Sequence, residues 1–201
     1  MRYLADRGYP LGPAVRFVSD HHRLPEEKRF VLTRVVVPRE AARSRRRKVL
    51  PLEGLRSREV AVDGYNVLIT TESLLAGVPV YRCDDGFLRD TRGVFRSYRS
   101  SGLTGPALCE VLDLLKDAAR VEFFLDQQMS KSGELAGTVR EMMAGVDIRG
   151  AAETAKDVDR RLKASRSVVA TADGTIIDAV SSVIDLPGEV ARRRGIEAVV
   201  V

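Results

Sequence analysis

From residue 59 onward, short apolar runs alternate with stretches in which apolar residues recur every three or four positions. Three of the runs share one ending. Val60-Ala61-Val62 stops at Asp63, Val121-Glu122-Phe123-Phe124-Leu125 stops at Asp126, and Val168-Val169-Ala170-Thr171-Ala172 stops at Asp173. A buried parallel strand reads as a near-continuous apolar run, so these three are predicted strands that each deliver an acid to the sheet's rim. Helices are expected over about 71–76, along the face Leu108, Val111, Leu112 and Leu115, over 134–143, over 158–164 and near 188–194. Further strands are expected at 78–82, 146–148, 183–184 and 198–201. Strand and helix in turn predict an α/β fold, a three-layer sandwich around a largely parallel sheet.

The first 57 residues have a different texture. Pro13–Asp20 reads as a helix with Ala14, Phe17 and Val18 on one face, and Leu24-Pro25 breaks it. Pro25, Glu26 and Glu27 suit the first turn of a second helix that runs through Phe30 and Val31 and ends before Pro38. The pair is open to reading as a helix-turn-helix or as a plain helical hairpin. Arg43–Lys48, followed by Pro51 and Gly54, reads as a basic linker or helix end. The expected organisation is a basic helical region and linker over 1–57 and an α/β domain over 58–201.

Charge sharpens that division. Residues 1–58 hold 15 Lys/Arg against 6 Asp/Glu, a net of +9, and the remainder holds 18 against 22, a net of −4. A basic front joined to an acidic body suits capture of a polyanion beside a carboxylate centre, with a solvated basic linker as the plain alternative. Nothing approaches eighteen uninterrupted apolar residues, so no membrane partner is expected, and the N-terminus lacks the apolar stretch of a secretion signal. Cys83 and Cys109 lie far from any Cys-x-x-Cys spacing. They suit small packed residues in a reducing, cytoplasmic setting.

Ligands of open α/β sheets bind outside the carboxyl ends of the strands, so Asp63, Asp126 and Asp173 are expected to share a site. Asp159, near the start of the helix before the last of these strands, is placed to join them, with Asp178 as an outer ligand or helix cap. Several ionised carboxylates in one cleft repel unless a hard cation neutralises them, and Mg²⁺ or Mn²⁺ suits oxygen ligands. Such ions activate water and stabilise the leaving oxygen in phosphoryl displacement. Asn66, Thr171, Ser130 and Ser132 are candidate supporting or substrate contacts, each with a turn, strand or cap role as its alternative. Asp84 and Asp85 are candidate additions to the metal centre. Arg82, Arg89, Arg92, Arg96 and Arg99, interleaved with Phe87, Phe95 and Tyr98, suit a surface that grips a phosphate backbone and stacks bases; Arg45, Arg46, Arg47 and Lys48 extend it. The competing reading is an amphipathic segment with Phe87 and Phe95 in the core. His21 and His22 lack a partner at metal-ligand spacing, and no Gly-x-Ser-x-Gly, Walker loop or Gly-x-Gly-x-x-Gly after a strand is present.

Val62-Asp63-Gly64-Tyr65-Asn66-Val67-Leu68 resembles the opening strand of PIN-like nucleases, particularly the NYN branch with its bacterial YacP-type proteins. Leu125-Asp126, Val158-Asp159-Arg160-Arg161-Leu162 and Ala170-Thr171-Ala172-Asp173 are similar to that branch's later acidic positions, in order, across residues 59 to 178. The whole chain, with Arg7-Gly8-Tyr9-Pro10 and Asp84–Asp90, also resembles prokaryotic, chiefly archaeal, proteins grouped as domains of unknown function 434 and 5616. The nuclease resemblance implies a Mg²⁺- or Mn²⁺-dependent ribonuclease with Asp63, Asp126, Asp159 and Asp173 as metal ligands and catalytic residues. RNA is then a more natural partner than DNA. A non-catalytic RNA-binding or assembly module is the rival expectation, a small-molecule phosphatase a third, and a homodimer is compatible with either of the first two.

Overall fold

A computed structural model describes residues 1–91 and 98–201. Four helices open the chain: α1 (Arg2–Asp6), α2 (Leu11–His21), α3 (Glu26–Val35) and α4 (Arg39–Lys48). The α/β body then runs β1 (Glu59–Asp63), α5 (Gly64–Leu75), β2 (Val80–Arg82), β3 (Leu88–Asp90), α6 (Thr104–Leu115), β4 (Arg120–Asp126), α7 (Ser132–Gly145) and β5 (Gly150–Ala155). It closes with α8 (Val158–Ala164), β6 (Val168–Ala170), α9 (Gly174–Ala179), β7 (Val183–Ile184), α10 (Leu186–Arg194) and β8 (Val199–Val200).

The main sheet has the order β5-β4-β1-β6-β7, and every pairing in it is parallel. Strand periodicity sorts its side chains onto two apolar faces. Val60, Val62, Val121, Phe123, Leu125, Val168 and Ala170 join one core with Leu68 of α5, Leu108 of α6, Val139 of α7 and Val190 of α10. Ala61, Phe124 and Val169 join the other with Leu162 of α8 and Ile176 and Ile177 of α9. A sheet buried on both faces has helices on both, which gives the three layers expected.

Several local expectations shift. The helix after β1 starts at Gly64 rather than near residue 71, because the chain turns directly against β4. A Cβ at Gly64 would stand 2.6 Å from Leu125 Cδ2 and 3.0 Å from the Phe124 carbonyl oxygen. Gly64→Ala is therefore expected to lower stability by about 1–3 kcal/mol through overpacking, measurable as a lower urea midpoint with an unchanged slope. The strand anticipated at 146–148 lies instead at Gly150–Ala155, whose small residues pair on one side only, with β4. Val146 is exposed and caps the C-terminus of α7. β2 leaves the main sheet and pairs antiparallel with β3 and parallel with β8 in a second sheet of three strands. Cys83 is buried but Cys109 is exposed, and both are free thiols. No helix among the described residues is long and apolar enough to cross a membrane.

The basic stretch read as a linker or helix end is the C-terminal part of α4, and its charges bind the protein to itself. Arg45 forms paired hydrogen bonds of 2.8 Å to both carboxylate oxygens of Asp178 and one of 2.9 Å to Asp85. Arg46 donates to the Asp84 carbonyl oxygen, and Lys48 donates to the Ile177 and Asp178 carbonyl oxygens at 2.8 and 2.9 Å. These contacts seat α4 on α9 and on the loop between β2 and β3. Arg47 makes no hydrogen bond or ion pair with a described residue.

Candidate active site

β1 is the strand at which the sheet changes its direction of growth: β4 and β5 add on one side, β6 and β7 on the other. Such a switch point opens a crevice at the carboxyl ends of the strands. A cleft of about 370 Å³ lies there, lined by Asp63, Tyr65, Asn66, Asp126, Val158, Asp159, Asp173 and, from the N-terminal helices, Arg34. All four anticipated aspartates thus meet in one place, from the end of β1, the end of β4, the first turn of α8 and the residue capping α9.

Their neighbours fix them to different degrees. Asp63 Oδ2 accepts a 2.8 Å hydrogen bond from Thr171 Oγ1, which in turn accepts from the Asp173 backbone N–H at 3.1 Å. Asn66 Oδ1 accepts from the Ala172 N–H at 2.8 Å, so the start of α5 is tied to the end of β6. Asp173 Oδ1 accepts the Thr175 and Ile176 N–H groups of α9, an N-cap. Asp126 Oδ1 accepts the Gln128 N–H at 2.8 Å. Asp159 is exposed, and its ion pair with Lys163 is long, at 4.0 Å.

Desolvation pushes the Asp63 carboxyl up to about 7, and the charges of Asp173 and Asp159 push it the same way, against the opposing hydrogen bonds from Thr171 and the Asn66 backbone. Burial raises the Tyr65 hydroxyl to about 12, with the charge of Asp126 adding to it. Among the described residues no three His, Cys, Asp or Glu side chains already stand close enough together to clasp an ion. The donor chemistry nevertheless fits a hard cation. Asp126 and Asp173 each use Oδ1 for the backbone behind them, leaving Oδ2 without a hydrogen bond from any described residue.

Other anticipated residues lie elsewhere. Asp85 is buried between two arginines: Arg89 grips it with bonds of 2.8 and 2.7 Å, and Arg45 adds a third. Arg89 also donates to the Ala172 carbonyl oxygen at 2.7 Å. Asp85 is therefore a structural anion rather than an addition to the metal centre, and Arg89 and Arg45 are structural cations rather than backbone-gripping ones. Asp178 is occupied by Arg45 and is no outer ligand; Asp84 accepts from Arg2 and from the Val37 N–H. Arg82 is exposed and donates to the Gly86 carbonyl oxygen at 3.3 Å. Arg99 and Ser130 line a separate groove of about 460 Å³ between α6 and α7. Ser132 is buried at the start of α7, where Lys131, at φ 61, occupies the cap position without capping the helix through its side chain, which pairs with Glu134 at 3.1 Å instead. Arg92, Arg96 and Phe95 lie outside the described residues. His21 stacks near Phe17 on an exposed helix end. Arg34 and Tyr65 are lining residues that no local pattern singles out.

Fold and site together define an α/β protein with an aspartate-lined cleft at the switch point of a parallel sheet. The chain belongs to the domain-of-unknown-function family DUF5616, which matches residues 52–189, and the protein-of-unknown-function family DUF434 matches residues 1–48. It is 35% identical over 191 residues to an uncharacterized protein of Methanocaldococcus jannaschii, covering 94% of this chain and 91% of that one. No solved structure matches.

Proposed function

We propose that this is a metal-dependent ribonuclease with a PIN-like body, in which Asp63, Asp126, Asp159 and Asp173 hold Mg²⁺ or Mn²⁺ and RNA is the substrate. The observation that carries the reading is the convergence of four carboxylates from four separate elements on one cleft. Capping alone gives no reason for acids spaced so widely in the chain to share a rim. A divalent cation bound there would activate water for attack on the phosphodiester and stabilise the developing charge. The chain's own residues prepare for it. Thr171 and Asn66 lock the ends of β1 and β6 in register, which orients Asp63 towards Asp173. With its carboxyl raised to about 7, Asp63 is about half-protonated at neutral pH and would give up that proton on holding a cation. The exposed Asp159 adds a further negative charge to the lining of the cleft.

Two outcomes follow from that proton. Calorimetric titration of the protein with Mn²⁺ is expected to show proton release, and apparent affinity should rise by up to about tenfold per pH unit below pH 7 and level off above it. A pH-independent affinity would remove Asp63 from the ligand set. Thr171→Val should weaken Mn²⁺ binding or cleavage by about 10–100-fold, the usual effect of losing a group that orients a ligand.

Labelled RNA incubated with Mn²⁺ or with a chelator tests the reading. Cleavage with Mn²⁺ only, reduced at least about 100-fold in Asp173→Asn, supports it. That no three acids among the described residues already clasp an ion favours one rival, a non-catalytic RNA-binding module. Salt-sensitive RNA binding with no metal-dependent cleavage would establish that rival.

A further inference from the structure

We propose that Arg34, delivered by the N-terminal helices, is the phosphate-contacting group of the aspartate cleft, donating to the non-bridging oxygens of the bound phosphodiester. The proposal rests on the phosphodiester reading above and adds that the front region forms one wall of the substrate site. Arg34 is the one basic side chain lining the cleft among the described residues, facing four acids. It nevertheless makes no ion pair or side-chain hydrogen bond with any described residue. Nearby arginines of the same region are committed: Arg29 to Asp20, Arg39 to Asp6, Arg45 to Asp178 and Asp85.

The position of Arg34 is built rather than incidental. Its neighbour Val35 is buried and packs with Val31 against Cys83. The Val35 carbonyl oxygen accepts the Asp84 N–H at 3.0 Å, and the Val37 N–H donates to Asp84 Oδ2 at 3.2 Å. The last turn of α3 is thereby clamped from both sides to the loop before β3. A cleft rimmed by acids repels the anionic backbone it has to bind, and a planar guanidinium matches phosphate oxygens with a two-pronged geometry that an ammonium lacks.

Arg34→Met and Arg34→Lys test the assignment, with Ca²⁺ replacing Mn²⁺ so that binding is read apart from turnover. Fluorescence anisotropy with a single-stranded oligoribonucleotide should show about tenfold weaker binding for Arg34→Met. The slope of log affinity against log salt should flatten by about 0.7, the loss of one phosphate contact. Arg34→Lys should keep the slope and lose part of the affinity. Mn²⁺ binding without RNA should be equal or tighter in Arg34→Met. RNA affinity and salt slope unchanged in Arg34→Met would overturn the proposal, whether or not the wild type cleaves. An Arg34-dependent slope in a protein that never cleaves would keep the phosphate contact and remove the nuclease reading. A wild type with no RNA affinity would overturn both.

Discussion

Asp63→Asn is expected to make the protein more stable while abolishing its metal-dependent activity. Folding raises this carboxyl from 3.8 to about 7. An acid whose pKa is raised in the folded state holds a proton there that the unfolded chain has lost, so its contribution falls as pH climbs from about 4 through about 7 and is flat beyond. Asparagine is neutral throughout and its side-chain oxygen still accepts from Thr171. Chemical denaturation should therefore show little gain near pH 4 and a gain of roughly 1–3 kcal/mol at pH 8. Mn²⁺ should raise the melting temperature of the wild type and leave that of the variant where it was, because binding to the folded state alone stabilises it. Cleavage of RNA should drop at least about 100-fold. A variant that is less stable at pH 8 would mean that Asp63 holds the fold together, and one that retains Mn²⁺-dependent cleavage would remove it from the chemistry.

Asp85→Ala should be the most damaging single change away from the cleft. The Asp85 side chain is 0% exposed and its two partners, Arg45 and Arg89, are 13% and 7% exposed. Removing the anion leaves two guanidiniums buried together, a change that costs about 3–5 kcal/mol. The same residues form a chain of contacts running from Asp178 through Arg45, Asp85 and Arg89 to the Ala172 carbonyl oxygen, next to Asp173. Loss of Asp85 should thus loosen α4 from the body and disturb the cleft, reducing both the urea midpoint and RNA cleavage. Should Asp85→Ala fail to fold, Asp85→Asn, with one acceptor oxygen kept, provides the measurement. Arg43→Ala is the control, since its ion pair with Glu40 is 3.7 Å long and exposed, and such pairs contribute about 0–1 kcal/mol. A loss below about 1 kcal/mol for both Asp85 variants would show that the buried pairing stabilises little.

The strand-end acids were legible because a buried parallel strand advertises itself as an apolar run, and its terminating carboxylate stands out. The helix over Val158–Ala164 was legible for a similar reason, with Val158 and Leu162 four residues apart on one buried face. The start of α5 was not, since Gly64-Tyr65-Asn66 carries turn-forming residues, and the close approach of Leu125 that excludes a side chain at Gly64 comes from a distant strand. Nor was β5, whose Gly, Ala and Thr residues lack the apolar signature of an interior strand. Basic residues proved the hardest to read. Arg45 and Arg89 resemble backbone-gripping arginines in sequence. Asp178, the partner of Arg45, lies 133 residues away, a distance at which no local pattern survives. Arg89, by contrast, pairs with Asp85 four residues before it and also reaches the Ala172 carbonyl oxygen 83 residues on. Arg34 reaches the cleft for the converse reason, through docking of one region on the other.

Diffraction from crystals soaked in Mn²⁺, recorded for anomalous signal, tests the central claim most directly. A peak about 2.1 Å from carboxylate oxygens of Asp63 and Asp173, with Asp126 or Asp159 turned in to complete the oxygen shell, is the expected result. Manganese bound only at other places on the protein, with the cleft's aspartates unmoved, would contradict it.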